Sequence, residues 1–501
     1  MDKTNRKNKW TLMKYIKEFS LMTEYAKTIR DSHYDVDVAG LSKLNNKMIQ
    51  RSIYNPRFGK ASSDTTNFKV CQIVYYMFAY RSADKKNIIF SPLGNLLLDN
   101  LDDKTKVAKI FTSMLFGMPF NHPYNKMDSS FNIFPFRLVF KLLCDDRLSG
   151  ILNNDEVFYI TAFSKEINEQ SYEKLVNDIL NFRKKSYHSK YDMFKASDEL
   201  EDTIANALHE WAYVCGHLKG AGIIDYYESN EKIGVLVHGR GRGGGCSGRR
   251  SYTPNYCKLK PSMKSFVQKM LNAYAFDEKP HDMLEHLGKS DYILHLYNFY
   301  PTILLDELGL TSRSRINAVL QLSEDIKRYS KNKEAGDCYR FESVLCDAFN
   351  EFSDVSAEKI AKAGTTDVEC IYLTIDEKFD LEAKSTGKKL SAINKGRLEE
   401  HQNLIGSKYT IVVAPCFMPS VLFDIKKSKI VVITASSLSN FLYQSAIHNG
   451  NEMSYKPLYD IVTSSFSEDI SSKVNKYVSE TYGLRLNAIP KDIPSKNALQ
   501  Q

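Results

Sequence analysis

The sequence lacks the features that mark secreted, membrane-spanning and zinc-binding proteins. None of its nine cysteines forms a Cys-x-x-Cys pair, so neither a zinc site nor a disulfide framework is indicated. No uninterrupted apolar run reaches the ~18 residues of a transmembrane helix. Residues 1–17 are polar and basic, without the apolar segment of a signal peptide. We therefore expect a reduced, soluble, cytoplasmic protein that makes no membrane contact.

A strong excess of one charge is also missing. The chain of 501 residues carries 68 Lys and Arg against 60 Asp and Glu, a formal net charge of +8. This mild basic excess is compatible with nucleic-acid binding but does not establish it. The hydrophobic fraction of 43% is that of a globular protein, and the length allows about two to four domains.

The first 230 residues have mostly helical patterning. One predicted helix begins near Pro135, and a second begins after Asn154, with Asp155 and Glu156 in its first turn. Helix, short turn and helix is the outline of a helix-turn-helix. Two packed helices of an ordinary helical domain fit the same pattern equally well, so both interpretations stay open.

A glycine-rich basic segment lies downstream of these helices. A predicted helix over about 199–215 precedes two short β-type runs, at 220–225 and 233–237, an order typical of a winged helix. The following segment, 238–250, has almost nothing apolar to bury and contains Arg240, Arg242, Arg249 and Arg250. We expect a basic loop that contacts the DNA backbone. A solvated surface loop would have the same composition.

The last third of the chain has an α/β pattern. An amphipathic helix contains Glu342, a β-type run begins at Asp367, and a turn at 376–377 leads into an alternating strand at 378–385. A further helix with His401 and Gln402 follows, and then two apolar strands, at 409–414 and 430–433. On the alternating strand, one face carries Phe379, Leu381 and Ala383, and the other carries Asp380, Glu382 and Lys384.

Asp367, Glu382 and Lys384 suit the hydrolysis of a phosphodiester. Two carboxylates on neighbouring strands can share one Mg²⁺ ion and leave water molecules bound to it. The positive charge of Lys384, on the same strand face as Glu382, can act on the attacking water or the phosphate. An acid-x-Lys pattern alone is common, and only the preceding acid, strand and helix make this one informative. The alternative is a surface hairpin with its charges on a solvated face.

On these residues the chain resembles the PD-(D/E)xK nuclease superfamily, over roughly 337–445. More narrowly, it is similar to AlwI-like type IIS restriction and nicking endonucleases, through 91–94, Leu97, Phe116, Phe120 and 134–136 up to Glu156. The resemblance implies that such an enzyme recognises an asymmetric DNA sequence with its N-terminal region. Its C-terminal domain then cuts the DNA at a short, fixed distance outside that sequence.

The resemblance also implies roles for individual residues. Asp367 takes the place of the first acid, Glu382 of the second acid and Lys384 of the lysine, with Asp367 and Glu382 as the Mg²⁺ ligands. Glu342 and Gln402 are implied as auxiliary residues. Thr366 stands where the motif has proline, a position that we expect to affect only the start of the strand, and the motif gives Asp380 no role.

The predicted fold is multidomain, with a mostly α-helical N-terminal recognition region (helix-turn-helix or winged-helix-like) and a C-terminal α/β domain like that of restriction endonucleases. We assign DNA recognition to 1–230, a basic loop and helical recognition or linker region to 231–330, and the nuclease domain to 335–501. The expected partners are double-stranded DNA and, for double-strand cleavage, a second copy or another nuclease subunit. A nicking, repair or mobile-element nuclease and a non-catalytic DNA-binding protein are the alternatives.

Overall fold

The computed structural model describes residues 9–31, 38–53, 63–82, 87–121, 130–239, 248–287, 289–309, 315–360 and 366–485. The chain divides into two compact units. The first contains Met1–Tyr80, Leu93–His281 and Arg485–Gln501, and the second contains Arg81–Pro92 and Asp282–Leu484. Over the described stretches, no helix is long and apolar enough to cross a membrane, and no disulfide joins two cysteines.

Among the described residues up to 287, helices dominate, as the sequence predicts, and seven short strands lie among them. The helices are α1 (Phe19–Arg30), α2 (Val38–Gln50), α3 (Ser63–Tyr75), α4 (Pro92–Asp99), α5 (Lys104–Phe116), α6 (Pro135–Leu143), α7 (Asn154–Tyr159), α8 (Glu169–Arg183), α9 (Tyr187–Phe194), α10 (Asp198–Gly220), α11 (Pro261–Ala273) and α12 (Pro280–Leu287). The strands are β1 (Ala79–Arg81), β2 (Asn87–Phe90), β3 (Leu152–Asn153), β4 (Ile224–Tyr227), β5 (Gly234–His238), β6 (Gly248–Tyr252) and β7 (Tyr256–Leu259).

The remainder of the chain mixes nine helices and six strands in the part that the structure describes. The helices are α13 (Lys289–Tyr297), α14 (Thr302–Leu308), α15 (Arg315–Tyr329), α16 (Asp337–Phe349), α17 (Lys395–Ile405), α18 (Ser420–Asp424), α19 (Ala435–Asn449), α20 (Lys456–Thr463) and α21 (Ser471–Tyr482). The strands are β8 (Val355–Lys359), β9 (Val368–Tyr372), β10 (Glu377–Ala383), β11 (Thr410–Ala414), β12 (Ile430–Thr434) and β13 (Leu484–Arg485).

The two helices predicted around residues 135–156 are present in the first unit. Proline occupies the first turn of α6, where its missing N–H costs no hydrogen bond. Asn153 and Glu156 form a capping box at the start of α7, which satisfies backbone N–H groups that the helix leaves free. The second helix is only six residues long. The helix-turn-helix interpretation stays a prediction.

The two β-type runs that were predicted to form the wing of a winged helix pair with other strands. β4 pairs with β7, whereas β5 pairs with β6 in an antiparallel hairpin, with Leu236 opposite Arg250. The two runs predicted to form a wing therefore do not pair with each other. β5 pairs along its whole length with Gly248–Tyr252 instead. The arginine- and serine-rich β6 carries no apolar run that would have predicted a strand.

The second unit is built on a five-stranded sheet in the order β12-β11-β10-β9-β8. β10 is the central strand, parallel to β11 and antiparallel to β9. β11 and β12 are buried along their whole length, which explains their continuous apolar sequences. This arrangement agrees with the α/β pattern predicted for the last third of the chain.

The connection at 330–336, which falls at the predicted boundary of the nuclease domain, joins two helices of the same unit. α15 and α16 flank it, and Val319 and Ile326 of α15 lie in the same apolar core as Phe379 and Leu381 of β10. α15 therefore contributes to the core that supports the sheet. The division of DNA recognition and cleavage among the three predicted regions stays a prediction.

Candidate active site

The polar face of β10 is buried at the centre of the sheet. Phe379 and Leu381 enter the apolar core on one side, as the alternation predicts. On the other side Asp380 is 0% exposed and Glu382 2% exposed, whereas the side chain of Lys384 is 31% exposed. The alternative of a surface hairpin with solvated charges is therefore wrong. Burying carboxylates costs free energy, which only strong local partners or a ligand can offset.

Asp367 and Glu382 come together at the end of neighbouring strands. Leu381 pairs with Val368, so the same register continued by one residue places Asp367 opposite Glu382. The Asp367 Oδ2 atom accepts a hydrogen bond of 2.7 Å from the backbone N–H of Ala383. That bond fixes the carboxylate against β10, next to the position of Glu382.

The surroundings of Asp367 disfavour its charged form. Burial is the largest cause, and the negative charge of Glu382 adds to it, so that the pKa of Asp367 rises to about 7. Glu342 raises the pKa further, whereas the N–H of Ala383 and the positive charge of Lys384 lower it. A carboxylate held near its point of protonation beside a second carboxylate is typical of a site that receives a cation.

Glu382 of β10 forms an ion pair with Lys384, which follows the strand directly and is partly exposed. The Lys384 ammonium donates to Glu382 Oε1, and the Lys384 backbone N–H donates to the Val413 carbonyl at 2.9 Å. The second carboxylate oxygen, Glu382 Oε2, is buried and has no hydrogen-bond partner among the described residues. A buried acceptor of this kind is costly, and it offers a free oxygen ligand.

The oxygen donors present fit Mg²⁺. In the described part of the chain, no group of three or more His, Cys, Asp and Glu side chains could hold a metal ion. Mg²⁺ does not need such a group, because it keeps several waters and binds through one or two carboxylates together with phosphate oxygens. Asp367 and Glu382 supply that number of carboxylates, and Glu382 Oε2 is the unused oxygen atom.

Glu342, predicted as an auxiliary acid, lies close enough to affect Asp367. It stands on α16, and its negative charge contributes to the raised pKa of Asp367. Its carboxylate forms a 2.9 Å ion pair with Lys359 of β8. The structure therefore brings Glu342 to the edge of the site, where Lys359 balances its charge.

Gln402, the other predicted auxiliary residue, is linked through Thr410 to Asp380. Its amide donates to Thr410 Oγ1 at 2.7 Å, and its second contact is the carbonyl oxygen of Lys429 at 3.4 Å. Gln402 thus anchors α17 to β11. His401, the neighbouring residue on α17, is 2% exposed and therefore buried.

Asp380, a buried residue of this region, was given no role by the sequence pattern. Asp380 accepts hydrogen bonds from three hydroxyls, those of Thr366, Ser407 and Thr410. Burial raises the pKa of Asp380 to about 6, and these hydrogen bonds oppose the rise. The only signal in the sequence was the position of Asp380 on the same strand face as Glu382.

The two described arginines of the basic segment point to opposite faces of the β5–β6 hairpin. Arg249 is exposed. Arg250 lies on the inner face, where its guanidinium donates to His209 Nδ1 at 3.3 Å and to the Arg249 carbonyl at 3.1 Å. Burial and the charge of Arg250 lower the pKa of His209 to about 4, which keeps its ring neutral and able to accept. The other two predicted contacts, Arg240 and Arg242, lie outside the described residues.

Comparison with known proteins finds similarity along nearly the whole chain. Residues 4–274 match the family described as "Type II restriction endonuclease HgaI, N-terminal domain". The chain is 37% identical over 480 residues to "Type II restriction enzyme HgaI" of Avibacterium volantium, which covers 95% of this chain and 98% of that relative.

Among solved structures, two of restriction endonuclease FokI are similar at a much lower level. One matches at 9% identity and a TM-score of 0.29, over 92% of this chain and 99% of the other. The second, FokI bound to DNA, matches at 10% identity and a TM-score of 0.26, over 82% and 83% of the two chains. TM-scores this low do not establish a shared fold.

Proposed function

The chain belongs to the family of the type II restriction endonuclease HgaI, and from this membership we propose that it is a site-specific DNA endonuclease. The relative named a type II restriction enzyme is matched across almost the full length of both chains. The narrower resemblance to AlwI-like enzymes stays a prediction, because the family that matches is that of HgaI.

The proposed active site consists of Asp367, Glu382 and Lys384, arranged as in the PD-(D/E)xK superfamily. The observation that carries this assignment is a pair of adjacent carboxylates, the half-buried Asp367 just before β9 and the buried Glu382 on β10, whose Oε2 atom no described residue satisfies. Two adjacent carboxylates repel each other and lose hydration when they are desolvated, so the pair does not serve stability. A role in catalysis explains why the chain places it there.

Each residue has a distinct part in the proposed hydrolysis. Asp367 and Glu382 provide the oxygen ligands for Mg²⁺, which when bound supplies a water of lowered pKa and positive charge at the phosphate. Lys384 holds its ammonium beside Glu382 and, being partly exposed, presents positive charge toward an incoming phosphodiester. The Ala383 N–H holds Asp367 in place.

We further propose type IIS behaviour, in which recognition and cleavage occupy different parts of the chain. Recognition is assigned to the helical first unit, and cleavage to the sheet that carries β10. Double-stranded DNA is the proposed partner. Each chain has one such carboxylate pair among its described residues, so cutting both strands requires a second copy, another nuclease subunit or two successive events.

Incubation of the protein with plasmid DNA and Mg²⁺, followed by sequencing of the ends, tests this proposal. We expect cuts at a fixed distance from one short asymmetric sequence, and no cutting when EDTA replaces Mg²⁺. Cuts confined to one strand would support the nicking alternative. Binding without any cleavage at any Mg²⁺ or Mn²⁺ concentration would contradict the enzymatic assignment, and full activity in EDTA would contradict the metal site.

A further inference from the structure

A buried hydrogen bond joins β10 to the residue that directly precedes Asp367. The Thr366 hydroxyl lies 3.1 Å from Asp380 Oδ2 and 3.1 Å from the carbonyl oxygen of Leu381, and donates to both. Thr366 is 1% exposed and Asp380 is 0% exposed. Water therefore does not compete for these contacts, and the hydroxyl ties the chain before Asp367 to the central strand.

Asp380 is itself held from a second side. Ser407, in the connection between α17 and β11, donates to Asp380 Oδ1 at 2.5 Å, and Thr410 of β11 donates to the same oxygen at 3.2 Å. Gln402 donates in turn to Thr410. The carboxylate is thus a fixed acceptor, and a group that donates to it is fixed as well.

We propose that Thr366 and Asp380 are positioning residues for the metal ligand Asp367, an inference that rests on the proposed metal site. Asp367 is then held at two points: its own carboxylate by the N–H of Ala383, and the backbone before it by the Thr366–Asp380 contact. In the PD-(D/E)xK pattern a proline stands at the position of Thr366, and proline restricts the backbone through its ring. Here a side-chain hydrogen bond supplies the restriction.

The proposal is tested by Thr366→Val in the full chain, which removes the hydroxyl and keeps the branched shape. The probe is Mn²⁺ alone, and its dissociation constant is measured by titration calorimetry without DNA. We expect binding to weaken about tenfold, the effect usual for loss of a group that orients a metal ligand. Thr366→Ser keeps the hydroxyl and should restore binding to within about threefold of the unsubstituted protein.

Ser407→Ala is the matched control. Ser407 also donates to Asp380, but from a connection that does not lead to Asp367, and in this variant Thr410 still donates to the same Asp380 oxygen and keeps the carboxylate in place. We expect a loss of thermal stability similar to that of Thr366→Val, with Mn²⁺ binding within about twofold of the unsubstituted protein. A residue that served stability alone would change the melting temperature in both variants and the Mn²⁺ dissociation constant in neither.

The outcomes separate the two proposals. Absence of Mn²⁺ binding by the unsubstituted protein overturns the metal site itself. Normal binding by Thr366→Val, or equal weakening in Thr366→Val and Ser407→Ala, overturns the positioning role while leaving the metal site in place. If Thr366→Val does not fold, Asp380→Asn replaces it, and unchanged Mn²⁺ binding by that variant overturns the inference.

Discussion

Asp380 and Glu382 share one buried face of β10, the central strand of the sheet, and their partners differ. Asp380 is satisfied by hydroxyl donors, whereas Glu382 has the Lys384 ammonium on one oxygen and no described partner on the other. The strand alternation predicted which face these residues share. It could not predict that the face is buried, because burial depends on residues distant in sequence, such as Gln402 on α17.

The raised pKa of Asp367 predicts a pH dependence of metal binding. Below a pH of about 7 the carboxyl is protonated, so a cation must displace a proton, and above it no proton is lost. We expect the Mn²⁺ affinity to increase about tenfold per pH unit up to about pH 7 and then to level off. Calorimetry across this range measures it. An affinity that does not change between pH 5.5 and 7 would contradict the assignment of Asp367 as a ligand.

At the scale of the elements, β10 connects the core to the proposed site. Phe379 stacks on Tyr455 at 4.9 Å and on Tyr409 at 5.2 Å between ring centroids, and it is fully buried. We expect Phe379→Ala to lower the free energy of unfolding by about 3–5 kcal/mol, because the substitution leaves a cavity and removes the stacking contacts with both tyrosines. Denaturant unfolding measures this loss. A decrease below about 1 kcal/mol would mean that β10 does not enter the core in this register.

Some elements were accessible from sequence and others were not. The uninterrupted apolar runs of β11 and β12 predicted buried strands, and Phe341, Leu345 and Phe349 predicted the buried stripe of α16. β8, at the edge of the sheet, was missed because Ser356, Ala357 and Glu358 have low strand propensity. The conformation of β8 is decided by its pairing with β9, which local sequence preference does not reveal.

For the whole molecule, DNA binding and cleavage are proposed to depend on different residues. Arg249 is exposed on the β5–β6 hairpin, far along the chain from the carboxylates. If it contacts a phosphate, Arg249→Ala should weaken DNA binding and reduce by about one the slope of log K against log salt concentration. Binding measured at several salt concentrations tests this. An unchanged slope would show that Arg249 makes no phosphate contact. Arg250 is not an equivalent choice, because it holds His209.

The central claim, that Glu382 acts in cleavage and not in DNA binding, is tested by Glu382→Gln in the full chain. The substitution keeps the size of the side chain and removes the charge that would bind the metal. Plasmid cleavage at saturating Mg²⁺ and DNA affinity are measured on the same preparation, with Glu377→Gln, at the other end of β10, as the control. We predict loss of cleavage by at least about a hundredfold, with DNA affinity unchanged or slightly higher, and normal cleavage by the control. Normal cleavage by Glu382→Gln would contradict the proposed active site.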